Sequence, residues 1–113
     1  MEIKLTNGLQ IGDERVTTLT LRRLTTGDLL DSEMAAEQVK LTSQGFQLIA
    51  SAAVMSAELY RRSVAKIGDL DGPLSMGQLK SLSLTDYNLL RNAYDALNNP
   101  VVVEVAEYSA EGR

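Results

Sequence analysis

The sequence predicts an α+β domain: an N-terminal β hairpin, then a small helical bundle around one long central helix, with a C-terminal edge strand. Three observations carry that expectation. Period-2 alternation runs through the first two dozen residues, Ser/Thr-x-x-Asp/Gln patterns recur where helices should start, and Pro100 opens a valine-rich run through Val105. With 113 residues, 44% of them hydrophobic and 23% charged, the chain suits one globular unit over 1–99 followed by a Val-rich tail over 100–113.

The elements follow in order. Ile3 and Leu5 alternate with Lys4 and Thr6, and Leu9 and Ile11 flank Gln10. Beyond them, Arg15 to Arg23 is rich in β-branched residues, and Leu19 and Leu21 share a face with Thr17. Two turn signals compete, Asn7-Gly8 and Gly12-Asp13. The second joins longer strands and is preferred as a Gly-first turn, leaving Asn7-Gly8 as a bulge. Thr25-x-x-Asp28 offers a capping box for a short helix that carries Leu29, Leu30, Met34 and Val39 and ends near Lys40. Asp28, Asp31 and Glu33 would complement its dipole. Thr42 or Ser43 then caps a helix over about 43–64. The segment Gly68 to Pro73 is dense in turn formers, and Ser75-x-x-Gln78 and Ser83-x-x-Asp86 open a short helix and a longer one from Leu84 to Leu97.

The 43–64 helix carries the most information. At about 100° per residue, Phe46, Ile49, Ala53, Ala57, Tyr60 and Val64 form one apolar arc, and Leu48, Ala52, Met55 and Leu59 form a second. Its length of roughly 33 Å would rival the width of the domain. Two readings follow: a core helix wrapped by its own chain, or a helix with one arc on the sheet and the second on another copy, giving a homo-oligomer. The expected core is Leu5, Leu19, Leu21, Phe46, Ile49, Tyr87, Leu90 and Tyr94. In the tail, Val101, Val103 and Val105 share one face of a strand that would add to the hairpin of its own chain or a neighbour's.

Composition excludes much chemistry. Without His or Cys there is no Ser-His or Cys-His nucleophile pair, no ordinary zinc site and no disulfide. A net charge of −4 argues against a nucleic-acid surface, and aromatics at 4% with no Trp argue against base stacking. The longest uncharged run, between Lys40 and Glu58, is too short and too polar to span a membrane. Asp69-x-Asp71-Gly72 lacks the remaining ligands of a calcium loop, the acidic group Asp28, Asp31, Glu33 and Glu37 reads as a solvated helix face, and no phosphate-loop pattern occurs among the glycines. An acidic, soluble, cytoplasmic interaction domain is expected, with no catalytic set, cofactor, metal or small-molecule substrate.

At the end of the second strand comes the stretch Leu19-Thr20-Leu21-Arg22-Arg23-Leu24-Thr25-Thr26-Gly27-Asp28-Leu29-Leu30. It resembles a "TLR.PT.GDLL" segment of the tail assembly chaperones of Mu-type contractile-tailed phages. Gln78 to Tyr87 is similar to a later segment of that family, so that Leu21, Arg22, Gly27, Asp28, Leu82 and Asp86 carry the motifs. Leu24 stands where the family often has Pro, and the tail from Pro100 lies outside the pattern. The resemblance implies a non-enzymatic accessory protein of the host cytoplasm that binds the tape-measure protein and keeps it soluble while the tail tube assembles. Some family members also exist in a longer, frameshifted form. The alternative is a small structural tail or head-completion protein retained in the virion.

Overall fold

The computed structural model describes residues 1–99, and the expected C-terminal edge strand lies outside them. Strands β1 (Glu2–Ile11) and β2 (Glu14–Leu21) pair antiparallel across Gly12-Asp13, with Ile11 opposite Glu14. Asn7-Gly8 sits in a bulge, where β1 advances from Lys4 to Leu9 while its partner moves only from Thr18 to Val16. Gly8 has φ +80°, and a Cβ there would lie 2.7 Å from the Val16 carbonyl oxygen, so glycine alone suits the position. Helix α1 (Thr26–Ala36) starts at the expected capping box, Thr25 with Asp28.

The central helix over 43–64 is overturned. The chain instead forms strands β3 (Glu37–Thr42) and β4 (Gly45–Ala50), then a shorter helix α2 (Ala52–Arg62) capped by Ser51. Helix α1 accordingly ends at Ala36, not near Lys40, and Val39 lies on β3. The physical reason is local. Val39 and Leu41 alternate with Lys40, Phe46 and Leu48 alternate with Gln47, and Gly45 between them takes φ +101° to close the turn. There are four short helices among the described residues and no long helix at the centre.

After α2, β5 (Val64–Ile67) and β6 (Leu70–Asp71) form a further hairpin where only a turn was expected. Helices α3 (Met76–Ser81) and α4 (Leu84–Asn98) complete the order. One antiparallel sheet runs β1-β2-β5-β6, and β3-β4 is a separate two-stranded sheet. Helix α4 packs on β1, while α2 packs on α1 and also touches α3, α4 and β5.

The core lies between the larger sheet and α4. Leu5, Leu9, Leu19, Leu21, Val64 and Ile67 meet Leu90 and Ala93, with Leu74, Leu79 and Leu82 closing one side. Tyr87 and Tyr94 are half-buried, each meeting Tyr60 edge-to-face. Phe46 and Ile49 do not join this core. They are 76% and 38% exposed, because their segment is a hairpin rather than a helix lying on the sheet. No helix among the described residues is long and apolar enough to cross a membrane.

Candidate partner-binding surface

Opposed residues of an antiparallel pair share a face, so the β3–β4 register sorts its side chains. Val39 opposes Leu48 and Leu41 opposes Phe46; on the other face Lys40 opposes Gln47 and Gln38 opposes Ile49. One face therefore carries four large apolar side chains in two cross-strand pairs, each between 63% and 76% exposed. The opposite face is mainly polar. Neither strand pairs with the larger sheet. An isolated two-stranded ribbon with an uncovered apolar face is a surface built to be covered. Exposed Leu30 and Met34 of α1 add apolar area shortly before the hairpin begins.

The hairpin springs from a firm base. The Ser51 amide donates to the Ala36 carbonyl at 2.9 Å, joining the two ends of the hairpin. Below it, buried Glu58 on α2 accepts from Arg61 and Arg62, and Arg62 also approaches Asp31 of α1 at 3.9 Å. The Arg61 hydrogen bond leads in holding the Glu58 carboxyl below its ordinary range, against the opposing effect of burial. At the junction, Glu33, Ala36, Ala50 and Met55 border a cleft of about 430 Å³.

The four residues expected to form one self-association arc do not share a helix face. Leu48 stands exposed on β4 and Ala52 is exposed at the start of α2, while Met55 and Leu59 are half-buried further along α2. Leu59 borders a cleft with Leu24, Leu29 and Tyr94.

The motif residues occupy positions that hold the fold together. Arg22 donates to both carboxylate oxygens of Asp28, at 2.7 and 2.9 Å, and Asp28 also accepts from the Thr25 amide and hydroxyl. This ties the end of β2 to the start of α1, with Gly27 in the first turn and Leu21 buried beneath. The Arg22 guanidinium holds the Asp28 carboxyl well below the usual carboxylate range. Asp86 is fully buried, and its carboxylate accepts the Thr6, Asn7 and Gly8 amides at 2.6, 2.9 and 2.9 Å. These are the amides that the β1 bulge releases from the strand ladder. Burial pushes the Asp86 carboxyl up, but those three amides and Ser83 together outweigh it and lower the net value. Leu82 caps α3 and is buried.

Comparison with known proteins places the chain in a family. Residues 5–113 match the family described as tail assembly protein gp41. The chain belongs to that family. The match runs through Arg113, so the family likeness includes the tail that the motif comparison had left outside. The "Mu-like prophage FluMu protein gp41" of Haemophilus influenzae is 47% identical over 89 residues, covering 78% of this chain and 70% of that protein. The "Probable tail assembly protein gp41" of Escherichia phage Mu is 34% identical over 109 residues, covering 93% of this chain and 76% of that protein. Against the same phage's "Probable tail assembly protein FS-gp41", identity is again 34% over 109 residues, but only 58% of that protein is covered. No solved structure matches.

The helical reading misses the β3–β4 hairpin and its exposed apolar face. Its signal was present in the alternation of Val39, Leu41, Phe46 and Leu48 around Thr42-Ser43-Gln44-Gly45.

Proposed function

We propose that this chain is a phage tail assembly chaperone, acting in the host cytoplasm, that keeps the tape-measure protein soluble by covering its amphipathic helices with the β3–β4 hairpin. The observation that carries this reading is the apolar patch of Val39, Leu41, Phe46 and Leu48 on one hairpin face, more than half exposed at every position. Two strands about 4.8 Å apart, with four residues of length at about 3.3 Å each, offer a flat strip roughly 13 Å long. That length accommodates the apolar stripe of about two helical turns. A net charge of −4 favours solubility of the complex. The role is one of binding, with no reaction and no cofactor. Membership of the tail assembly family supports it.

Co-expression with the cognate tape-measure protein tests the proposal. The wild type should keep that protein in the soluble fraction and co-purify with it, and Phe46→Asp should lose both effects while remaining folded, since a buried charge facing an apolar helix is strongly disfavoured. An equally effective Phe46→Asp chain would rule out the hairpin as the client surface. Recovery of the chain at fixed stoichiometry in purified virions would favour a structural tail component.

A further inference from the structure

We infer that, before a client arrives, the same hairpin face is covered by a second copy of this chain, in a two-fold pair that the client must displace. The inference rests on the reading above only for what displaces the second copy. Self-cover itself stands on the hairpin.

Three features of the face select another copy as its resting occupant. The first is area: with ordinary side-chain sizes, the exposed fractions of Val39, Leu41, Phe46 and Leu48 amount to roughly 550 Å². Face to face, two copies would cover about 1,100 Å², near the lower edge of specific interfaces, before any contribution from α1. The second is charge. None of the four apolar residues is charged, Lys40 lies on the opposite face, and Glu37, which shares the face, sits opposite Ala50 at the far end of the strands from the turn, so the centre of the contact apposes no like charges. The third is symmetry. Two cross-strand pairs, Val39 with Leu48 and Leu41 with Phe46, form a flat patch that a two-fold axis can lay on its own copy, leaving the two polar faces outward as in a small sandwich. Such a pair hides a surface that would otherwise promote aggregation, and it yields to a client that buries more of each hairpin.

Sedimentation of the full chain alone, from about 1 to 100 µM, tests self-cover without any client. The wild type should move from 12.3 kDa towards twice that mass. Phe46→Asp should weaken the pairing about 30-fold or more, as expected for a central aromatic contact. Leu41→Asp should do the same, and thermal unfolding of both variants should match that of wild-type monomer. A wild type that stays monomeric at 100 µM, or a Phe46→Asp chain that still pairs, overturns the inference. So does a monomer whose hairpin amides are protected at every concentration, which would assign the cover to the chain's own tail. Adding the tape-measure protein should convert pairs into complexes with one chain per binding segment. A complex in which the pair persists overturns displacement. None of the client-free results bears on client binding, so the two readings can fail separately.

Discussion

Strands β2 and β4 have similar patterns and opposite fates. Leu19 and Leu21 alternate along β2 and are 0% and 2% exposed; Phe46 and Leu48 alternate along β4 and are 76% and 63% exposed. What separates them is company. Strand β2 lies between β1 and β5, and its leucines share a core with Leu90 of α4, whereas β4 has only β3 beside it. Alternation thus specifies a strand with one apolar face, and the rest of the chain decides whether that face serves folding or binding.

The largest effect that sharpens this contrast comes from truncating one leucine in each region. Leu19→Ala should cost about 3 kcal/mol of stability, because the surrounding core cannot collapse into the space. Leu41→Ala should cost less than about 0.5 kcal/mol in dilute solution, where its side chain is already solvated. Urea unfolding of both variants measures this, and equal losses would break the distinction.

Asp86→Asn comes next, at about 2 kcal/mol, since an amide offers one acceptor oxygen where three backbone donors converge. The same site predicts a pH dependence. The carboxyls of Asp28, Glu58 and Asp86 all lie below their ordinary values in the folded chain. Their contribution is therefore fully present above the unfolded value near pH 4, and is lost as pH falls through the folded values, where the unfolded chain binds more protons. Unfolding midpoints followed from pH 7 to 3 should fall, with a shallower acid slope in Asp86→Asn. A slope unchanged by the substitution would remove Asp86 from the account.

The smallest effect should come from Gly45→Ala. At φ +101° an added Cβ is strained by about 1 kcal/mol, although nothing lies within 4 Å of it. Because the strain falls on the hairpin turn, it should lower hairpin order in NMR spectra while leaving global unfolding nearly unchanged.

The sequence made the N-terminal hairpin legible because its alternation, Gly12-Asp13 turn and Asn7-Gly8 bulge agree with one another. It left β3–β4 ambiguous. Phe46, Ile49 and Ala53 fit helical spacing as well as Phe46 and Leu48 fit strand spacing, and Ser43 resembles a helix cap, although the cap that forms is Ser51. Strand β5 is only four residues long, and its first residue, Val64, continues the apolar spacing of α2, so the expected helix ends on it and the strand goes unrecognised. Asp86 was readable as part of a capping box. Ser83 does accept the Asp86 amide, but the carboxylate turns to Thr6, Asn7 and Gly8, some eighty residues away, and no local pattern encodes that choice. The motif residues Arg22, Asp28 and Asp86 join elements of the fold, and the exposed apolar face of β3–β4 lies outside the motif.

Native-state hydrogen exchange on the full chain tests most directly whether one region folds the protein and the other waits for a partner. In dilute solution, amides of the β2–β5 ladder, such as Thr20 and Ile67, should exchange only through global unfolding, and amides of β3 and β4 should exchange orders of magnitude faster through local opening. Bound tape-measure protein should slow the hairpin amides and leave the ladder unchanged. Hairpin amides as protected as the ladder in the isolated, dilute chain would contradict the account.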